Sequence, residues 1–145
     1  MRGSRDKVTP QTVQMVLSRD QMAMTRAGIT MVTPTCVAPL IDAKREDCWG
    51  RTTLDHIKEE PRAGVRAPSD PFHLVSVCQG HSEDGMKAGY QWNTAHRPEL
   101  REHIARTTFR CVVCDAAVVD ARCGFCGTPV ASTGPTQAVS GEGGR

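Results

Sequence analysis

Two Cys-x-x-Cys pairs near the C-terminus carry the most specific chemistry in the sequence. Cys111 and Cys114 are followed, after eight intervening residues, by Cys123 and Cys126. Each pair can present two thiolates to one ion, and four thiolates complete a closed tetrahedral zinc site. The spacing predicts a small zinc ribbon with a structural metal, because no coordination position is left open. A redox-active pair, a disulfide and an iron-binding knuckle are the alternatives.

A second group of ligand-type residues is spread from Cys36 to His81. Cys36 and Cys48 precede one β-prone segment, and Cys78-Gln-Gly-His81 follows the next one. Three thiolates and one imidazole complete a zinc set if the two segments bring their ends together. We therefore predict a second zinc site at Cys36, Cys48, Cys78 and His81. The alternative is that Cys36 and Cys48 are ordinary buried thiols.

An Asp55-His56 pair lies between these cysteines, and His73 lies near the start of the second β-prone segment. The motifs run in the order VLSRD, Cys36, Cys48-Trp-Gly-Arg-Thr-Thr-Leu-Asp55-His56-Ile57 and His73-Leu-Val-Ser-Val-Cys78-Gln-Gly-His81. This order resembles the zinc-bracketed HNH endonucleases that bacteriophages often encode, and the resemblance covers about residues 8 to 106. It implies a ββα-metal (His-Me finger) nuclease core with zinc-binding loops.

The sequence departs from the family pattern at two positions. His73 stands where the family usually has Asn, and Cys78-Gln-Gly-His81 replaces the family's Cys-x-x-Cys-His. The first departure is mild, because a His side chain can also form a hydrogen bond across the loop. The second leaves two roles open for His81, either the fourth zinc ligand or a ligand of the catalytic ion.

The resemblance implies metal-assisted hydrolysis of phosphodiester bonds. This reaction needs an activated water, a cation on the scissile phosphate and stabilisation of the leaving oxygen. His56 is the implied general base, because the ordinary pKa of imidazole, about 6.5, lies near working pH. Asp55 is the implied ligand of Mg²⁺ or another divalent ion, with His81 as its second ligand. His73 would orient His56 or hold the loop, and the simpler alternative for Asp55-His56 is a polar strand end.

The elements that must position these residues follow from the pattern of the chain. Thr9-Pro10 predicts the start of a helix that ends near Ala27-Gly28. Segments 51–57 and 72–77 are β-prone and predict a two-stranded ribbon, and 82–106 predicts two short helices. We therefore predict a small α+β fold with an HNH-like domain at 1–106, the zinc ribbon at 107–130 and a disordered tail at 131–145.

Other polar and aromatic residues have simpler interpretations. Asn93, His96 and His103 fall in the two short helices, where a polar surface role is expected. Trp49 and Trp92 are expected in the core of a domain with few aromatic residues.

Composition limits the classes of protein that the chain can represent. It has 145 residues, of which 39% are hydrophobic and only 4% aromatic, so an apolar core alone would be marginal. The seven cysteines are an odd number, which argues against complete disulfide pairing and favours zinc. No stretch approaches the ~20 apolar residues of a membrane span, and the N-terminus lacks the apolar region of a secretory signal. We expect a cytoplasmic protein without a membrane partner.

The net charge of the chain is compatible with nucleic-acid binding but does not by itself indicate it. The chain has 18 Lys and Arg residues against 16 Asp and Glu, a net charge of +2, so only local patches can attract phosphates. Lys58, Arg62 and Arg66 lie in the loop between the two strands. They either grip phosphates or are solvated charges, and the sequence leaves both interpretations open.

The sequence as a whole favours an HNH-type endonuclease that cuts double-stranded DNA, with two structural zinc ions and one catalytic divalent ion. The zinc ribbon offers a surface for a protein partner. The alternative from a different class is a non-catalytic zinc module that binds DNA or protein as an adaptor, and the two departures from the family pattern favour it. An RNA-binding zinc protein has less support, because the chain has no runs of aromatic and basic residues.

Overall fold

The computed structural model describes residues 8–30, 35–42, 47–59, 67–84 and 92–119. Within these ranges the predicted small α+β fold is confirmed, with two small antiparallel sheets. The elements are α1 (Pro10–Arg26), a 3₁₀ helix (Ala38–Leu40), β1 (Thr52–His56), β2 (Leu74–Cys78), a π-helical turn (Gly80–Asp84), α2 (Trp92–Ala95), α3 (Arg97–Thr107), β3 (Phe109–Arg110) and β4 (Ala117–Val118).

Helix α1 begins and ends close to the predicted positions. The backbone N–H of Thr12 donates to Thr9 Oγ1 at 3.1 Å, so Thr9 caps the helix, and Pro10 occupies the first turn, where its missing N–H costs nothing. After the helix, Gly28 has φ +78°, a left-handed conformation that suits glycine and stops the helix. The predicted capped helix is confirmed.

Strands β1 and β2 form the predicted two-stranded ribbon, with Thr52 opposite Cys78 and His56 opposite Leu74. Every residue of β2 is buried, whereas β1 is half-buried and His56 is exposed. The outer edge of β2 is covered at Ser76. Its N–H donates to the Asp20 carboxylate at 2.8 Å, and its carbonyl accepts from the N–H of Val37 at 2.9 Å.

The hydrophobic core lies between the ribbon, the segment before the 3₁₀ helix, and α3. Trp92 is only 6% exposed and belongs to this core, as expected, but Trp49 is 44% exposed. The expectation for Trp49 is therefore wrong. Its indole lies against Gly80, where an added Cβ would come within 2.5 Å of Trp49 Nε1, so the ring covers backbone instead of entering the core. The buried core consists of Cys36, Val37, Ala38, Ile57, Val75, Val77, Cys78, Trp92, Leu100 and Ile104.

A buried arginine connects α1 to the start of β2. Arg19 is 1% exposed, and its Nε donates to Asp20 Oδ1 at 2.8 Å. Its two terminal nitrogens donate to the carbonyls of Pro71 and Leu74, both at 2.7 Å. The guanidinium therefore satisfies backbone acceptors that would otherwise be buried without partners.

Two of the histidines expected at the surface are largely buried in polar contacts. His103 Nε2 lies 2.8 Å from Asp20 Oδ1, and His96 Nε2 lies 2.8 Å from Asp42 Oδ2. Their side chains are 11% and 16% exposed. The expectation of a surface role is wrong for both, because α3 and the residue before it pack against carboxylates from distant segments.

The second sheet is the short hairpin of β3 and β4, which follows α3 directly. Thr108 is buried and its hydroxyl accepts from Arg19 at 3.0 Å, while the Arg110 guanidinium lies 4.3 Å from the centre of the Phe72 ring. The predicted start of the ribbon at residue 107 coincides with the last residue of α3. Residues 120–130 of the predicted ribbon and the predicted tail lie outside the described residues. In the described part of the chain, no helix combines the length and the apolar character needed to cross a membrane.

Candidate functional site

Backbone hydrogen bonds bring Cys36 next to Cys78. The N–H of Val37 donates to the carbonyl of Ser76 at 2.9 Å, which places the Cys36 segment along the edge of β2. The N–H of Thr35 donates to the hydroxyl of Thr52 at 2.8 Å and fixes the same segment to β1. Cys78 is the last residue of β2, so the two thiols meet at one end of the ribbon.

Two glycines allow the Cys48 segment to approach the same end. Gly50 has φ +81°, and an added Cβ would come within 2.5 Å of the Gln79 side chain. The N–H of Gly80 donates to the carbonyl of Trp49 at 3.2 Å. Backbones can pass this closely only where side chains are absent. The glycines of the Trp49-Gly50 and Gln79-Gly80 pairs therefore allow the segments that carry Cys48 and Cys78 to pack closely.

The four predicted ligands Cys36, Cys48, Cys78 and His81 form a compact group that can hold a metal ion such as zinc, and their ligand atoms all lie within 4.8 Å of one another. His81 Nδ1 is 3.0 Å from the sulfur of Cys78, 3.6 Å from that of Cys36 and 3.9 Å from that of Cys48. A tetrahedral zinc ion with ordinary bond lengths separates its sulfur and nitrogen ligands by about 3.5 Å. The donor set and its spacing therefore fit zinc.

The contacts within this cluster shift the pKa values of its members in different directions. A hydrogen bond from the Cys36 thiol lowers the pKa of Cys78, while the same contact raises the pKa of Cys36. The hydrogen bond with Cys78 also raises the pKa of His81. Thiolate is the form that binds metal, so Cys78 is prepared to act as a ligand.

Residues around the cluster hold the His81 ring in place. Trp92 packs against it edge to face, with ring centroids 5.5 Å apart. Trp92 Nε1 donates to Asp42 Oδ1 at 3.1 Å, and the other oxygen of Asp42 contacts His96. Contacts of this kind orient metal ligands and support their affinity.

The described part of the predicted C-terminal ribbon makes a tight turn at its first cysteine pair. The N–H of Val113 points to Cys111 Sγ at 3.4 Å, and Asp115 has φ +64°, which turns the chain back after Cys114. None of the five described cysteines forms a disulfide. Cys123 and Cys126 lie outside the described residues, so the second zinc ion stays a prediction.

Asp55 lies near the end of β1, where its carboxylate is half-buried. Oδ1 accepts hydrogen bonds from Ser82 at 3.3 Å and Thr53 at 3.4 Å, and Oδ2 accepts from Asn93 Nδ2 at 3.2 Å. Burial raises the pKa of Asp55 despite these hydrogen bonds and the attraction of His56. Among the described residues, no lysine or arginine forms an ion pair with this carboxylate.

Asn93 is a site residue that the sequence reasoning missed, because it was expected at the surface. It is half-buried and reaches Asp55 from α2, 38 positions along the chain. Ser82 was also missed, although it directly follows His81. The π-helical turn directs His81 to the cysteines and Ser82 to Asp55. Of the two predicted roles for His81, this geometry favours the zinc ligand.

His56 and His73 lie on either side of the loop between the strands. His56 Nε2 is 3.0 Å from Ser69 Oγ. His73 Nδ1 is 2.7 Å from Asp70 Oδ1, and its Nε2 is 3.6 Å from Glu59. Of its two predicted roles, these contacts favour holding the loop. Lys58 is half-buried, and Arg62 and Arg66 lie outside the described residues.

The contacts of Arg101 strengthen the base of the same loop. Its Nη1 donates to the carbonyl of Ile57 at 3.2 Å and to that of Phe72 at 2.8 Å, and its Nη2 lies 3.7 Å from Glu59. One guanidinium thus joins the end of β1 to the approach to β2. The position of His56 is fixed by this clamp as well as by the strand.

In comparisons with known proteins, no family model matches the chain, and no curated protein or solved structure matches it.

Proposed function

We propose that the protein is a metal-dependent endonuclease of the HNH class that hydrolyses phosphodiester bonds in double-stranded DNA. In this proposal His56 is the general base and Asp55 is a ligand of a divalent ion. Cys36, Cys48, Cys78 and His81 hold a structural zinc ion beside them. The proposed setting is the cytoplasm, of a host cell if a phage encodes the protein.

The observation that carries the proposal is the contrast between Asp55 and His56. Consecutive residues at one strand end have different environments, with a half-buried carboxylate that accepts several hydrogen bonds and an exposed imidazole in contact with Ser69. A half-buried carboxylate that pairs with no lysine or arginine of the described residues gains from a cation, and an exposed imidazole is accessible to solvent. Alternation along the strand places the two side chains on opposite faces, and the combination of a carboxylate with an accessible imidazole at one strand end is what metal-assisted hydrolysis uses.

The carboxylate of Asp55 fits a divalent ion, since carboxylate oxygens are ligands that such ions prefer, and the hydroxyls of Ser82 and Thr53 lie beside it. When bound, this ion supplies positive charge to the scissile phosphate and to the leaving oxygen. Asp55 holds its position, and His56 takes the proton of the attacking water. Ser69 contacts Nε2 at 3.0 Å and positions the ring for this step. His73 and Arg101 keep the loop and the strand end fixed.

The test is cleavage of supercoiled plasmid by the full, zinc-loaded chain with Mg²⁺, Mn²⁺ or Ni²⁺, and with EDTA as control. The His56→Ala variant should retain its zinc and lose about 10²- to 10⁴-fold in nicking rate, the usual effect of a general base. Because a contaminating nuclease would be unaffected by this substitution, the variant is also the control for purity. Equal rates for the two proteins would remove His56 from the mechanism.

A non-catalytic adaptor is the second candidate, and one observation favours it. Both oxygens of Asp55 already accept hydrogen bonds from protein groups, so the carboxylate is held without an ion. With His81 in the zinc set, Ser82 falls where the family pattern Cys-x-x-Cys-His has its final histidine. DNA binding in a gel-shift assay, without cleavage in any of the three metals, would favour the adaptor. The predicted ribbon would then be the surface for a protein partner.

A further inference from the structure

A groove lies between the first helix and the β3–β4 hairpin, next to the proposed catalytic residues. Its volume is about 480 Å³, and residues 70–72 form its third side. We propose that this groove binds the phosphate backbone of DNA beside the cut, with Arg110 of β3 as its phosphate-binding residue. The inference rests on the proposed endonuclease function, and it gives the start of the predicted zinc ribbon a role in substrate binding.

Arg110 is already held in place for this role. Its guanidinium carbon lies 4.3 Å from the centre of the Phe72 ring, and its side chain is 57% exposed. Stacking occupies the face of the guanidinium and leaves the N–H groups at its edge able to bind a phosphate through two parallel hydrogen bonds. Because the ring orients the guanidinium before DNA binds, less side-chain entropy is lost than with a lysine in the same place.

The groove is continuous with the position of His56. Ser69 Oγ lies 3.0 Å from His56 Nε2, and the three residues that follow, Asp70 to Phe72, line the groove. Three residues of chain span at most about 10 Å. Successive phosphates of one DNA strand advance by about 3.4 Å along the duplex axis. A strand whose scissile phosphate lies at His56 therefore brings a phosphate about three nucleotides away to Arg110.

The buried Arg19 fixes the separation of two walls of the groove. Its Nη1 donates to the carbonyl of Pro71 at 2.7 Å and to the hydroxyl of Thr108 at 3.0 Å. Pro71 belongs to the wall formed by residues 70–72, and Thr108 directly precedes β3. Since this link is buried, the walls keep their spacing without DNA, and the groove is a preformed site.

The charges along the groove suit an anion. Asp70 Oδ1 accepts from the N–H of Phe72 at 2.9 Å and lies 2.7 Å from His73 Nδ1, so this oxygen is engaged within its own loop. The Asp115 carboxylate is 80% exposed and lies 3.7 Å from Arg110 Nη1. An exposed pair of this kind contributes little stability, so a phosphate can take its place. The first turn of α1 also lines the groove and adds the positive end of the helix dipole.

The experiment measures binding of the full, zinc-loaded chain to a short fluorescein-labelled DNA duplex by fluorescence anisotropy, without added divalent ion and over a range of salt concentrations. Each phosphate contact contributes about 0.9 to the slope of log K against log salt, so its loss weakens binding about eightfold at about 0.1 M salt. Arg110→Gln should show both the weaker binding and the smaller slope. Arg110→Lys should keep the slope of the parent, because the charge remains, but should bind more weakly because the stacked fork is lost.

Two further variants control for the loss of charge and for folding. Arg106→Gln is the matched control, since it also removes an exposed arginine that pairs with a carboxylate, here Glu102 in the last turns of α3. It should bind DNA as the parent does. Asp115→Asn should tighten binding, because it removes the carboxylate that competes with the phosphate, and Asn suits the left-handed backbone at this position (φ +64°). Zinc content and thermal melting report whether each variant is folded.

The outcomes separate this inference from the proposed function. If the parent cuts DNA but Arg110→Gln keeps the affinity and slope of Arg106→Gln, the groove holds no phosphate and the inference is wrong. The inference is also wrong if the parent binds no duplex, or if Asp115→Asn binds DNA no more tightly than the parent. If the variants change DNA binding as expected but the parent cuts no DNA, the groove stands as a DNA site and the nuclease proposal fails.

Discussion

Replacement of Arg19 by Met tests whether the buried guanidinium is necessary for the fold that carries the site. Met keeps an unbranched apolar stem of similar length and removes the charge and all the donors. Asp20 would remain 0% exposed without its closest cation, and the carbonyls of Pro71 and Leu74 would lose their hydrogen bonds. The Pro71 carbonyl lies just before β2, and the Leu74 carbonyl belongs to the first residue of that strand. Leu74 pairs with His56 at the end of β1.

The expected cost follows from these contacts. Removal of one partner from a buried ion pair costs about 3 to 5 kcal/mol. Each carbonyl left buried without a donor costs about 1 to 3 kcal/mol. One side chain makes all these contacts, so the costs are not additive, and we expect about 5 kcal/mol in total. Domains of this kind have unfolding free energies of about 5 to 15 kcal/mol, so Arg19→Met should lose a third or more of the stability.

Urea unfolding of the zinc-loaded chain at neutral pH measures this change. Arg26→Met is the matched control, because Arg26 lies exposed in the last turn of the same helix. It should change the unfolding free energy by no more than about 0.5 kcal/mol. A loss below about 1 kcal/mol for Arg19→Met would refute the reasoning, since water or a rearranged side chain would then have replaced the guanidinium.

The pH dependence gives an independent check. Burial raises the pKa of Asp20, but the charge of Arg19 and the hydrogen bond from His103 more than offset this and hold the pKa below its ordinary value of 3.8. In the parent, the ionised carboxylate therefore stabilises the fold above pH 3.8, and this contribution is lost as the pH falls through the lowered value. In Arg19→Met burial dominates and the charge becomes unfavourable. The stability difference between the two proteins should therefore shrink as the pH falls from neutral to about 4.

Three further outcomes are expected at the site. Ser69→Ala should lower the nicking rate less than His56→Ala does and should leave zinc content unchanged, because Ser69 only positions the imidazole. Cys78→Ala should lose zinc and most of the melting transition, whereas Ser76→Ala, two residues away in the same buried strand, should retain both. The Ser76 hydroxyl has no hydrogen-bond partner among the described residues. Asp55→Asn should abolish cleavage yet raise the melting temperature in the absence of Mg²⁺, since burial raises the pKa of Asp55 and its charge opposes folding at neutral pH.

Each of these expectations has a contrary result. A larger loss of rate for Ser69→Ala than for His56→Ala would give Ser69 a chemical role. Retention of zinc by Cys78→Ala, measured by elemental analysis, would remove that thiol from the metal site. A lower melting temperature for Asp55→Asn would mean that the hydrogen bonds to the carboxylate outweigh its burial.

The cysteine and histidine ligands could be predicted from the sequence because their signal lies in residue type and local spacing. Cys78 and His81 occupy one turn, and the two β-prone segments with a long loop between them predict the ribbon that brings Cys36 and Cys48 to the same end. The start of α1 could also be predicted, because Thr9-Pro10 is a local signal for a helix start. Such features depend on a few neighbouring residues, so the order of the chain is sufficient to find them.

The environment of Asp55 and the choice of role for His81 were decided only by the tertiary structure. Asn93 reaches Asp55 across 38 positions, and Arg19 reaches Leu74 across 55, distances at which neither periodicity nor capping carries information. The Asn93 contact depends on how α2 packs on the ribbon. The Arg19 contact depends on which buried carbonyls lie next to α1. A polar residue in an amphipathic segment has the same sequence signal whether it faces water or a buried partner. Burial of the partner is a property of the folded chain, and it determines whether the contact is structural, metal-binding or absent.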